Sequence, residues 1–260
     1  MPYITCKISD GLGNRFFQTA SMLGYAEAHA HDPVFVREWV QDTNHLGPKS
    51  ITDYFPSIPV ISVGGQWVLA DEPAAASYTF SPLPPIPQNV KLNGYFQTEK
   101  YFPSAGIPAP AILPTSSRWS SYAFLHVRRG DYLNPLCRHH YVELADYYRY
   151  AISLFADSDT RILVCSDDIE WCRATLPARY ADLIAADRWE FFVGDDLETL
   201  GAMVSCRSGG ICANSTFSWW GAYWGFHRSG GIYTMPSIWG YPPLPTPVDL
   251  HPSWATVLPV

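Results

Sequence analysis

Charged side chains are scarce in this 260-residue chain: Asp, Glu, Lys and Arg together make up 16% of it. The net charge is −7, so nucleic acid and anionic membrane surfaces are both disfavoured as partners. No apolar run reaches the roughly 18 residues that a membrane-crossing helix needs. No signal peptide precedes the first strand-like run at residues 3–8, so the chain is expected to be soluble and cytoplasmic. The six cysteines, at positions 6, 137, 165, 172, 206 and 212, form no CxxC pair and no zinc-finger spacing. Several lie in apolar runs, where a reduced cysteine acts as a small hydrophobe, in keeping with a reducing compartment. No internal repeat is evident. No third glycine completes a dinucleotide fingerprint after Gly11 and Gly13, because residue 16 is Phe.

What is abundant is apolar and aromatic. Hydrophobic residues make up 47% and aromatics 15%, with 10 Trp and 16 Tyr. That is ample for a full core, and some of these rings suit the flat apolar faces of sugars. The length fits one large domain or two small ones of roughly 100–150 residues.

Patterning predicts alternating strands and helices. A strand at 3–8 runs into Gly11-Leu12-Gly13-Asn14, and a helix follows with Phe16, Phe17, Ala20 and Leu23 on its apolar face. A second strand is expected at 33–37. Strand-like pieces follow at 58–63 and 66–70 in an irregular, proline-containing stretch, then a strand at 93–97. Residues 103–117, rich in Pro, Ala and Ser, read as a linker, which divides the chain into domains 1–117 and 118–260. Beyond it, strands are expected at 121–127, 161–165, 190–193, 211–213 and 231–235. Helices are expected at 141–156, 169–176, 196–206 and 215–227. The last 25 residues carry seven prolines and are expected to wrap the surface. The alternation predicts an α/β fold with parallel sheets, whose ligands sit beyond the carboxyl ends of the strands.

That rule sorts the motifs. His126-Val127-Arg128-Arg129-Gly130-Asp131-Tyr132 leaves the carboxyl end of a hydrophobic strand. Its arginines offer planar forks for phosphate oxygens, and its glycine permits close backbone approach. Arg128, Arg129, Arg138 and Arg149 fall within 22 residues, the local basic cluster that an anionic substrate would need. Asn214-Ser215-Thr216-Phe217-Ser218-Trp219-Trp220 follows a short strand and opens a helix, where free N–H groups and hydroxyls can hold an anion or simply cap the helix. Asp157-Ser158-Asp159 has the form of a metal-binding DxD but precedes its strand, the wrong end, and reads as a turn. Asp167-Asp168 lies at the correct end, where a helix cap explains it equally well. Neither pair has the clustering of a metal site.

Together these residues resemble the GDP-fucose-dependent transferases, especially the α-1,2-fucosyltransferases. Three blocks match in order: Gly11 to Gln18, echoed at Gly94 to Phe102; His126 to Tyr132; and Ala213 to Ala222. The resemblance implies two Rossmann-like domains facing each other (GT-B type), inversion at the anomeric carbon, and no cofactor or metal. The substrates it implies are a nucleotide sugar, GDP-fucose, and an acceptor glycan. It also assigns roles. Arg128 binds and stabilises the leaving β-phosphate, with Arg129 in support, and His126 helps hold the nucleotide. Ser215, Thr216 and Phe217 contact phosphate, Asn14, with Gly13, reaches the donor from the N-terminal half, and Gly11 and Asn214 are further substrate-binding residues. Asp196 is the candidate reader of guanine. Asp131 is a candidate proton acceptor that could equally orient the arginine pair. Three features depart from the family pattern: a short, proline-rich stretch between the first two blocks, Ser208-Gly209-Gly210 where a His is common, and the bulky Tyr223-Trp224. These departures fall where sugar and acceptor choice could be set.

Overall fold

Strand-forming residues at the N-terminus are buried from Ile4 onward, and they seed a four-stranded parallel sheet. The computed structural model describes residues 1–41, 49–73, 78–156 and 158–260. The chain forms two compact units. One comprises residues 1–112 and 247–252, the other residues 113–246 and 253–260.

In the first unit β1 (Tyr3–Cys6) leads into α1 (Leu12–His29), then β2 (Asp32–Pro33), β3 (Phe35–Val36), the one-turn α2 (Ile51–Tyr54), β4 (Val60–Ile61), β5 (Trp67–Asp71) and β6 (Asn89–Asn93). Helix α1 starts because Gly11, in an extended conformation, lets the chain turn directly from strand to helix, and it stops at Ala30 in the left-handed region. Its Phe16, Phe17, Ala20 and Met22 are buried. The main sheet has the order β2-β1-β6-β5, all parallel, and β3 pairs with β4 separately. The chain leaves β1 toward β2 and later returns to place β6 on the other side of β1. The strand order therefore reverses between β1 and β6.

The second unit runs β7 (Tyr122–Val127), α3 (Ala145–Ser153), β8 (Arg161–Ser166), α4 (Ile169–Arg179), β9 (Trp189–Phe191), α5 (Asp196–Ser205), β10 (Gly209–Ile211), α6 (Thr216–Ser229), β11 (Ile232–Pro236) and β12 (Thr256–Leu258). The sheet order is β12-β11-β10-β7-β8-β9, again all parallel. Every residue of β7 is buried, as a strand covered on both faces requires. Ala123, Leu125 and Val127 join the core beneath α3 and α4. Here the order reverses between β7 and β10, because the chain builds outward to β9 and then returns to the other side of β7.

Several elements differ from the sequence-based expectation. The strand expected at 93–97 is Asn89–Asn93, and Phe96 beyond it has a positive φ of 51°, which no strand tolerates. The helix expected from 141 begins at Ala145, because Pro135–His140 forms a tight 3-10 segment ahead of it. The strand expected at 211–213 is Gly209–Ile211, and the tail adds the unexpected edge strand β12 on β11. Within that tail, the amides of Val248 and Asp249 bond to the Tyr78 carbonyl, so this short piece packs with the first unit. The proline-rich linker is fastened at both ends. Ser104 donates to Glu27 from its amide (2.6 Å) and its hydroxyl (2.8 Å), and the Ser116 amide donates to Ser205 (2.9 Å).

Candidate active site

In open parallel sheets, ligands bind in the crevice beyond the strand ends where strand order reverses. In the second unit that point joins the carboxyl ends of β7 and β10. It therefore brings together the two motifs that lie 82 residues apart at Tyr132 and Asn214, where the Tyr132 hydroxyl donates to the Asn214 carbonyl at 3.0 Å.

His126 is 4% exposed and faces α6, with its ring 5.8 Å from that of Phe217. Burial pushes its pKa down to about 4, against the pull of Asp167 and with the push of Arg128, so the imidazole is neutral at neutral pH. Among the described residues its Nδ1 has no hydrogen-bond partner. A buried polar atom left unpaired costs roughly 1–3 kcal/mol, which a ligand group there would recover.

Arg128 lies between two carboxylates. It reaches Asp131 Oδ1 at 2.8 Å and Asp167 Oδ2 at 3.1 Å, and its side chain stays 27% exposed. Arg129 is fixed more fully. Its guanidinium stacks 3.7 Å over Trp171, its Nε donates to Asp168 Oδ2 at 3.0 Å, and its amide donates to Asp167 Oδ1 at 2.9 Å. Gly130 has to be small, since a Cβ there would come within 2.7 Å of Asp167 Oδ2. Asp167 and Asp168 were legible only as a helix cap, and Asp168 does cap α4 through Trp171 N. Their second task, gripping both arginines, follows from the ladder. Val127 pairs with Ser166, so the residues beyond the two strands are neighbours.

On the other side of the crevice Ser215 is the N-cap of α6 and makes no side-chain cap bond, and no acidic residue occupies the first turn. The positive end of this helix is therefore uncompensated from within. Thr216 and Phe217 are partly exposed there. Asn214 is 2% exposed, and its amide ties the carbonyls of His140 (2.8 Å) and Trp239 (2.9 Å) together, so it shapes the loops around the crevice. A cationic fork, a helix N-terminus and a neutral imidazole converge, which is an arrangement suited to a phosphate group. Asp196 is placed apart from this cluster. It opens α5 beyond β9, two strands from β7, next to the capping pair Asp195–Glu198.

In the first unit Gly11, Gly13 and Asn14 lie at the carboxyl end of β1. The Asn14 amide closes the turn on the Gly11 carbonyl, and Asn14 Oδ1 accepts from Gln97 at 2.9 Å. Gln97 belongs to the loop after β6, so this unit also gathers two motifs at its strand-order reversal. That loop is shaped by Glu72, a residue the sequence did not single out. Glu72 accepts from the amides of Tyr95 (2.7 Å) and Phe96 (3.0 Å), and Gly94 must lack a side chain to let it do so.

Among the described residues, no group of three or more His, Cys, Asp or Glu side chains is placed to hold a metal ion. Asp157 lies outside those residues, and Asp159 precedes β8 at its amino end. No helix among them is long and apolar enough to cross a membrane.

This geometry coincides with a known sequence family, since residues 112–240 match the profile of glycosyl transferase family 11. The second unit carries a family 11 glycosyltransferase domain. The chain is accordingly a glycosyltransferase, and its substrates as such are a nucleotide sugar and an acceptor glycan. It is 26% identical to an alpha-1,2-colitosyltransferase of Escherichia coli over 92% of this chain and 93% of that protein. It is 36% identical over 109 residues to the O-antigen biosynthesis glycosyltransferase WbnK of Escherichia coli, covering 38% of this chain and 33% of that protein. A galactoside 2-alpha-L-fucosyltransferase of Bos taurus is 30% identical over 41% of this chain and 29% of its own length. No solved structure matches the chain.

Proposed function

We propose that this family 11 glycosyltransferase moves fucose from GDP-fucose to a hydroxyl of an acceptor glycan, inverting the anomeric centre and forming an α-1,2 linkage. The reading rests above all on Arg128, a partly exposed guanidinium at the β7/β10 reversal, beside the open N-terminus of α6. When GDP departs, negative charge develops on the β-phosphate. A guanidinium already fixed there lowers the barrier without reorganising. Ser215, Thr216 and Phe217 hold the phosphates from the helix end, and His126 supplies a neutral nitrogen to the nucleotide. Asp196 is retained as the candidate guanine reader at the sheet's outer edge. The two parallel-sheet units serve as the halves of a GT-B enzyme. The donor belongs to the second and the acceptor to the first. Because Arg128 supplies the cation at the leaving group, transfer proceeds without a divalent metal.

One relative that spans nearly the whole chain is a colitosyltransferase, which favours colitose as the second reading of the donor sugar. One experiment separates the readings. Thermal shift across GDP- and UDP-sugars, followed by GDP release with and without acceptor glycans, should show stabilisation by GDP-sugars and acceptor-dependent release that chelator leaves unchanged. Preference for a UDP-sugar would reject the base assignment. Loss of activity on chelation, restored by manganese, would reject the metal-free mechanism.

A further inference from the structure

The leaving group has its cation, but the acceptor hydroxyl also needs somewhere to send its proton. Asp131 is poorly suited, because it is ion-paired with Arg128 at 2.8 Å, and a proton taken there would weaken the hold on the cation that serves the leaving group. A different carboxylate stands at the strand-order reversal of the first unit. Asp10 follows β1 with a φ of +67°, in the left-handed region. A side chain there costs on the order of 1–3 kcal/mol unless the surroundings hold it. The neighbouring glycine does not take the strain, since Gly11 has an ordinary φ of −64°. The chain thus bends at a carboxylate where a glycine would bend freely, and such a backbone outlier points toward use of its side chain.

The surroundings hold Asp10 firmly. Its carbonyl accepts from Nε of the buried Arg15 at 2.7 Å. The hydroxyls of Ser9 (2.9 Å) and Tyr95 (3.0 Å) both donate to its Oδ2. Its Oδ1 accepts no hydrogen bond among the described residues, and the side chain is partly exposed. Tyr95 is 42% exposed, and Glu72 fixes its backbone. Burial and the Asp10 charge push the Tyr95 pKa up to about 12, so the phenol stays a donor. An oriented carboxylate oxygen beside an exposed aromatic ring matches a sugar, whose C–H face lies on the ring while a hydroxyl meets the oxygen.

We propose that Asp10 is the catalytic proton acceptor for the acceptor glycan, with the Tyr95 ring as the surface against which its sugar lies. This rests on the glycosyl-transfer reading above. In the step, the acceptor oxygen bonds to the anomeric carbon of the donor. The bond from that carbon to the β-phosphate oxygen breaks, and its electron pair leaves with the nucleoside diphosphate. The hydroxyl proton passes to Asp10 Oδ1.

Two variants of the full chain test it. Asp10→Asn keeps an oxygen that can accept from Ser9 and Tyr95 but loses basicity. Asp10→Gly relieves the backbone. Both should lower kcat for transfer by about 10²–10⁴ with GDP affinity and donor KM unchanged. Melting should stay level in Asp10→Asn and hold or rise in Asp10→Gly, and Asp10→Glu should recover part of the rate. Wild-type transfer with Asp10→Asn within about threefold of it would overturn this assignment alone. So would a parallel loss of GDP affinity in both variants, which would mark a structural role. Wild-type protein that turns over no nucleotide sugar would overturn the donor reading, and this assignment with it.

Discussion

Arg128→Ala is expected to abolish transfer, with a fall of about 10²–10³ or more in kcat and an unchanged melting temperature. The size follows from where the charge appears. Arg128 keeps 27% of its side chain exposed and is held by Asp131 and Asp167, which stand where they can orient it without burying it. Removing it leaves Arg129 in the turn, and that side chain is stacked on Trp171 and bonded through Nε to Asp168. Arg128→Lys should recover little, since a point charge cannot present two parallel N–H groups to phosphate. Stability should hardly change, as the ion pairs lost are partly solvent-exposed and such pairs contribute about 0–1 kcal/mol. Steady-state kinetics together with a melting curve checks both halves. Near-normal kcat would refute the phosphate role.

Gly209→Ala is expected to act in the opposite sense, on the fold first. Gly209 begins β10, hydrogen-bonded between β7 and β11, with a φ of +141°. A methyl group there would overlap the carbonyl of Ile232 on the neighbouring strand, and that is backbone which cannot swing aside. The next residue, Gly210, is filled by the ring of Phe124, so the strand has no slack on that side either. The cost should exceed about 4 kcal/mol, the range in which single substitutions are exceptional, and lower the melting temperature by about 10 °C or more. Differential scanning calorimetry would measure it, and a change of only a few degrees would show that β10 can shift.

The same glycine pair stands at one of the departures from the family pattern. Ser208-Gly209-Gly210 departs from the family pattern where substrate choice could be set, yet its two glycines are strand residues closed in by neighbouring strands. Tyr223 and Trp224, the other bulky departure, are 4% and 2% exposed inside the aromatic packing of α6, where Trp219 stacks on Tyr223 at 5.4 Å and Trp220 lies 4.8 Å from Trp224. Gly209, Gly210, Tyr223 and Trp224 are thus closely packed positions.

The second unit was legible wherever its signals were local. The run at Tyr122–Val127, apolar but for His126, the Arg–Gly turn after it and the Ser–Thr opening of α6 each announce themselves within a few residues. The parallel sheet and the carboxyl-end rule then brought two distant motifs to one crevice. Contacts that depend on register across strands were hidden. Asp167 and Asp168 read as a helix cap because nothing in sequence links them to Arg128 and Arg129, each 39 residues before its partner. The β7–β8 ladder supplies that link. Glu72 was invisible for the same reason, since its work is done on the amides of a loop more than 20 residues away. The short strand β12 was masked by prolines that suggested a surface wrap, though an edge position tolerates them. Asp10 gives no signal of its own in a sequence where glycines follow it, and only the backbone angles show which residue bears the strain.

The diphosphate site itself is tested most directly by calorimetric titration of GDP and GMP into the wild-type protein and into Arg128→Ala. The wild type should bind GDP at least about tenfold more tightly than GMP, roughly 1.4 kcal/mol for the β-phosphate, and Arg128→Ala should lose that margin. Equal affinity of the wild type for GDP and GMP, or an undiminished margin in Arg128→Ala, would contradict a β-phosphate held by Arg128 at the β7/β10 crevice.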